Sequence, residues 1–188
     1  MLFEDRKFAD IGTTVSHQYH GGPFRIGSWA DLVTVHALPG PGVLQGLENR
    51  VDIDSTYCDN RQKGALILSQ MSSSGNLLTE DYSKKCIEMY KQCRAKNMKV
   101  PPIGFIGQSR MITGDPNFIQ MTPGVSLVSK GDNLGQNYVS VECAIEEKGA
   151  DIVIVGRGIT SCAEDKTMNE TAKKYRELAW KAYLKRTS

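Results

Sequence analysis

Within FEDRKFADIG, residues 3–12, an acid, a base and a second acid fall inside six positions: Asp5, Lys7 and Asp10. Carboxylates beside a lysine favour its ammonium form. An ammonium held in place can stabilise developing negative charge and then deliver a proton to it. On an extended strand residues 5 and 7 point to the same side, and Asp10 falls where the strand should turn into a loop. Such an alternating array at a strand end needs no metal. DxKxxD is a short string, however, and a surface salt-bridge cluster fits it equally well.

Three further stretches carry groups that suit a ligand. Gly156-Arg157-Gly158 follows the apolar run DIVIV. Backbone N–H groups at such a turn cradle a phosphate and an arginine grips it with two hydrogen bonds; the plain alternative is a tight turn with a solvated arginine. GDNLGQNY, residues 131–138, offers amide and phenol donors, including Gln136 and Tyr138, for a phosphate lid, or is simply a connection. Met71–Gly75, MSSSG, places hydroxyls after a strand, where they read a heterocycle edge or cap the next helix. Pro39-Gly40-Pro41-Gly42 reads as a turn. No GxSxG elbow is present, which argues against a serine hydrolase. His17, His20 and His36 lack metal-ligand spacing; His36 reads as packed in its strand, His17 and His20 as solvated. Trp29 and Trp180 read as packing residues.

The elements that must position these groups are legible as alternating runs. LFEDRKFADI, ADLVTVHAL, GALILSQM, PIGFIG, FIQMTPGVSL and DIVIVG are apolar and rich in strand formers, as expected for parallel strands covered on both faces. TEDYSKKCIEMYKQCRAK predicts a helix capped by Thr79 with Tyr82 and Ile87 turned inward. NETAKKYRELAWKAYLKR predicts a last helix with Ala172, Tyr175, Ala179, Ala182 and Tyr183 on one face. Strand–helix alternation means an α/β fold. The polar signals follow every strand, which is the (β/α)₈ barrel pattern; a doubly wound sheet concentrates them at one switch point. About six βα units are present, in a single domain spanning 1–188.

Bulk properties narrow the function classes. A net charge of +2 without a basic stripe excludes an electrostatic nucleic-acid binder. No apolar window approaches a membrane span, and the charged start is not a secretory leader. Five cysteines, Cys58, Cys86, Cys93, Cys143 and Cys162, form no CxxC pair. That odd count speaks against a disulfide framework or zinc site and for reduced thiols in the cytoplasm.

Taken in order, FEDRKFADIG, ADLVTVHALPGPGVLQGL, MSSSGNL, GFIGQSR, TPGV, GDNLGQ-N-Y and DIVIVGRGI resemble the orotidine 5′-phosphate decarboxylase family over essentially the whole chain. The likeness is strongest to the decarboxylase domain of animal bifunctional UMP synthases. It implies a homodimeric barrel with shared active sites that converts orotidine 5′-monophosphate to UMP without cofactor or metal. By resemblance, Lys7 is the general acid toward C6 of the pyrimidine and Asp5 lies near the substrate carboxylate. Asp10 and Thr14 reach into the partner's site near the ribose, and Ile11 lines the pyrimidine pocket. Ser72 bonds the base, with Pro123 packed beside it. Gln136, Tyr138 and Arg157 grip the phosphate, and Gly156 adds backbone.

The same resemblance sets a departure. The family pattern has two strands ahead of FEDRKFADIG, one supplying an Asp for the ribose and one a second Lys. The expectation is therefore an N-terminally truncated barrel, a fragment or truncated product whose activity is open. Two other readings stay in play: an inactive homologue that binds UMP-like nucleotides and dimerises, and a related Mg²⁺-dependent barrel acting on a sugar phosphate.

Overall fold

The computed structural model describes residues 1–49, 61–127 and 137–188. Contacts divide the chain into two compact units. One comprises Met1–Ser69 and Thr79–Phe105, the other Gln70–Leu78 and Ile106–Ser188.

The first unit is built from the first four apolar runs. They form β1 (Phe3–Phe8), β2 (Leu32–His36), β3 (Gly64–Leu68) and β4 (Pro102–Ile106, which ends at the unit boundary). Each strand neighbours the next in chain order, and the β1–β2 and β2–β3 pairs are parallel. That simple progression is the order of a (β/α) barrel; a doubly wound sheet reverses direction partway. The intervening helices are α1 (Gly12–His20), α2 (Gly42–Glu48) and α3 (Glu80–Arg94). β2 and β3 are buried almost throughout, with Val33, Val35, Ala65, Leu66 and Ile67 at 0–1% exposure. Burial on both faces explains why these runs show no polar alternation.

Thr79 caps α3 as its sequence predicts, its Oγ1 accepting the Tyr82 N–H at 3.2 Å. Glu80 and Asp81 in the first turn and Lys91 and Arg94 in the last complement the helix dipole. The buried stripe is Ser83, Cys86, Met89, Tyr90 and Cys93; Tyr82 and Ile87 lie half-buried on its flanks. α1 and α2 approach closely at Gly46, where an added Cβ would stand 2.9 Å from Val15 Cβ and 3.0 Å from the Gly12 carbonyl.

The second unit carries β5 (Ile119–Thr122) and β6 (Ile152–Val153), a parallel pair. Between them lies a π-helical turn, Cys143–Glu147; after them come the short α4 (Arg157–Thr160) and the long α5 (Asp165–Thr187). Residues 107–118 form bends and no helix, since Gly107, Gly114 and Pro116 interrupt any helical pattern. Val125, Val141, Ala144, Ile145, Ala150, Tyr175 and Ala182 make the core. On α5, Tyr175 and Ala182 are buried and Ala172 and Ala179 half-buried, as the face predicts, but Tyr183 is exposed. Trp180 is no packing residue: it is 60% exposed and stacked on Tyr183. Asp151 ties the strand start together, accepting from Arg110 at 3.2 Å, Arg186 at 3.0 Å and the Gln120 N–H at 2.9 Å. No helix among the described residues is long and apolar enough to cross a membrane.

Candidate active site

The first group of functional side chains stands at the C-terminal end of β1. Register against β2 slips between Glu4 and Phe8, the mark of a bulge. Lys7 sits inside that slip with φ +55°, a left-handed conformation that a non-glycine residue adopts only under constraint. The constraint is visible. The Lys7 N–H donates to Thr34 Oγ1 of β2 at 2.8 Å, Thr34 Oγ1 lies 2.9 Å from Asp5 Oδ1, and Lys7 Nζ donates to Asp5 Oδ2 at 2.5 Å. Asp5 and Lys7 therefore meet as the sequence predicts, but through a bulge and a neighbouring hydroxyl as well as strand alternation. Both keep partial exposure, 51% for Asp5 and 38% for Lys7, so the pair can face a ligand.

His36 ends β2 beside this pair. It is half-buried, and its Nδ1 is enclosed without a hydrogen-bond partner among the described residues. Burial, and after it the Lys7 charge, push its pKa below the ordinary 6.5, against an opposing pull from Asp5. Its half-buried ring at the end of β2 agrees with the packed reading of the sequence. His20 departs from expectation: its Nε2 is 2.8 Å from the Leu47 carbonyl and its ring packs on Tyr19. Behind β2, burial lifts Tyr82 to about 12 and Cys86 to about 11, so neither supplies a proton or a thiolate near neutral pH.

Asp10 is exposed beyond the strand, where its Oδ1 accepts the Ile11 N–H at 2.8 Å. Ile11, 52% exposed, and Thr14 on α1 also face outward.

The second group assembles within the second unit. TPGV leaves β5 through Gly124, φ +75°, and a parallel bridge joins Val125 to Val139. The Val139 N–H donates to the Gly124 carbonyl at 2.9 Å and the Ser126 N–H to the Val139 carbonyl at 3.0 Å. This clamp fixes Tyr138, whose phenol oxygen accepts from the Arg157 guanidinium at 3.3 Å. Gly156 precedes α4 as its N-cap residue and places Arg157 in the first turn, exposed. From the other side, Asn137 N–H donates to the Ser72 carbonyl at 3.2 Å and its side-chain amide to Ser74 Oγ at 3.1 Å. Ser72, Tyr138 and Arg157 thus belong to one cluster. The Pro123 carbonyl accepts from Gln108 Nε2 at 3.1 Å. Gln136 and residues 131–135 fall outside the described residues, as does Cys58.

Sequence reasoning missed Thr34 and Gln108. Thr34 had a signal: a hydroxyl inside the buried run LVTVH needs a partner.

A profile described as the orotidine 5′-phosphate decarboxylase / HUMPS family matches residues 1–175. The chain belongs to this family. It is 47% identical over 186 residues to uridine 5′-monophosphate synthase of Bos taurus, covering 99% of this chain and 35% of that one. It is 45% identical to orotidine 5′-phosphate decarboxylase of Candida parapsilosis, covering 100% of this chain and 66% of that enzyme. The chain thus spans about a third of the first relative's length and just under two thirds of the second's. Among solved structures, an uncharacterized conserved protein from Geobacillus kaustophilus matches at TM-score 0.59 and 18% identity, over 94% of this chain and 75% of that one. KGPDC from Streptococcus mutans matches at TM-score 0.52 and 15% identity, over 97% and 73%. Those two likenesses are of fold; family membership rests on the sequence matches. Together with the chain-order strands they make the fold a decarboxylase-family (β/α) barrel type.

Proposed function

We propose that this chain carries out the decarboxylation of orotidine 5′-monophosphate to UMP, the last step of pyrimidine nucleotide synthesis, without a cofactor. The observation that carries the reading is the Lys7–Asp5 contact at the end of β1, in a chain of the decarboxylase family. In this reaction the bond from C6 to the carboxylate breaks, CO₂ leaves, and the electron pair remains on C6. Lys7 stabilises that charge and transfers its proton to C6, then regains one from solvent. Asp5 orients the ammonium and crowds the departing carboxylate with like charge. Arg157 and Tyr138, with Gln136 and the backbone at Gly156, hold the phosphate; binding energy spent there, far from the reacting bond, supports the transition state. Ser72 and Pro123 frame the base, and Ile11 its pocket.

The outward-facing Asp10 and Thr14 suit a homodimer in which each protomer completes its partner's ribose site. We place the protein in the cytoplasm, a reading supported by the free thiols of Cys86, Cys93, Cys143 and Cys162.

A second reading, a nucleotide-binding homologue without turnover, is favoured by the Arg157–Tyr138 pairing, which belongs to a different unit from the charged array. Loss of orotidine 5′-monophosphate absorbance, with UMP titrated in parallel by calorimetry, separates the two. Turnover supports the enzyme; UMP binding with no turnover selects the second reading; neither refutes both.

A further inference from the structure

We infer that Thr34 is a positioning residue that sets the place of the Lys7 ammonium, and that the β1 bulge exists to bring Lys7 under its control. The inference rests on the proposed role of Lys7.

Thr34 is fully buried in the middle of β2, paired with Leu66 of β3. A hydroxyl there must be satisfied. Its single oxygen does two things at once, accepting the Lys7 N–H at 2.8 Å and bonding Asp5 Oδ1 at 2.9 Å. The Lys7 N–H can only donate, so the hydroxyl proton points to Asp5. Asp5 then has both oxygens committed, one to Thr34 and one to Lys7 Nζ. The same lysine is therefore held at its backbone by Thr34 directly and at its ammonium through Asp5. A bulged residue leaves the regular ladder and its N–H needs another acceptor; Thr34 supplies it where Lys7 adopts φ +55°. Any other β-branched residue of this size would fill the strand, but none would make both bonds.

The test uses two variants and two readouts. Thr34→Val keeps shape and branching and removes the hydroxyl; Thr34→Ser keeps the hydroxyl. Orotidine 5′-monophosphate kinetics should show kcat falling at least tenfold in Thr34→Val, with KM within threefold. Thr34→Ser should stay within threefold of the native chain in both. Unchanged kcat in Thr34→Val, or equal losses in the two variants, overturns the inference.

The second readout needs no turnover. The His36 ring, assigned by its loss in His36→Gln, is titrated by NMR. Lys7→Met should raise its midpoint in the native background, and raise it less than half as much in Thr34→Val, because the ammonium is already displaced. An equal rise in both backgrounds shows that Lys7 keeps its place without Thr34 and sinks the inference. A native chain that lacks turnover refutes the decarboxylase reading alone; the His36 result still decides Thr34.

Discussion

The two units solve different problems with different parts. In the first, Asp5 and Lys7 ride on a strand and are locked by a buried hydroxyl from the next strand. In the second, Tyr138 and Arg157 sit on a loop and on the first turn of the short α4, held by backbone clamps and by one another at 3.3 Å. A strand-borne group is held tightly, as proton transfer demands. A loop-borne grip can adjust as a phosphate arrives. Under the proposed function the difference implies a division of labour: damage to the first unit's array should strike the chemical step, and damage to the second unit's cluster should strike binding.

The largest expected effect belongs to Lys7. Lys7→Ala should lower kcat by at least ~10²–10⁴-fold, the usual worth of a positioned proton donor, while calorimetry finds UMP affinity nearly intact. If UMP affinity collapsed with kcat, the contrast between the units would fail. Next comes Arg157. Arg157→Ala should weaken UMP binding by roughly 10–100-fold, the loss of a charge-assisted contact worth about 1.5–3 kcal/mol. Free guanidinium ion added back should partly restore that affinity. A variant that binds UMP normally would remove the second unit from phosphate recognition.

Smaller effects sharpen the picture of what holds each group. Gly46→Ala should destabilise the chain by about 1–3 kcal/mol in urea unfolding, because its Cβ meets Val15 and the Gly12 carbonyl at 2.9 and 3.0 Å. It should leave the Arg157 cluster's ligand response unchanged. Unaltered stability would mean that α1 and α2 can separate at little cost. The mildest effect is that of His36. Its folded pKa lies below 6.5, so the unfolded chain binds more protons in that window and stability rises with pH. The contribution is fully present above 6.5 and fades as pH falls through the folded value. His36→Gln should therefore flatten the stability profile below pH 6.5. A profile as steep as the native one would assign that slope to other groups.

Much of this arrangement was legible from residue patterns. Buried apolar runs such as GALIL announce strands by chemistry alone, and Thr79 announces the start of α3. The DRKFAD string names the groups proposed to act. It could not show how they are held. Strand alternation places Asp5 and Lys7 on one side, yet the fold reaches that pairing through a bulge and a left-handed lysine, whose N–H bonds a partner 27 positions away. Thr34 stood out only as a hydroxyl in an apolar run; its partners depend on strand register, which local pattern leaves open. On α5 the apolar face was read from spacing, but a long helix turns its outer residues away from a small core. Tyr183 and Trp180 consequently stack on each other in the open.

The central claim is that the Lys7–Asp5 pair performs chemistry and does not merely brace the end of β1. Its most direct test is single-turnover decarboxylation of orotidine 5′-monophosphate by the native chain and by Lys7→Ala, at enzyme concentrations that saturate UMP binding in both. Conversion by the native chain, with a rate constant at least a hundredfold lower in the variant at equal occupancy, is the predicted result. Equal rate constants at equal occupancy would contradict the claim and leave Asp5 and Lys7 a structural ion pair.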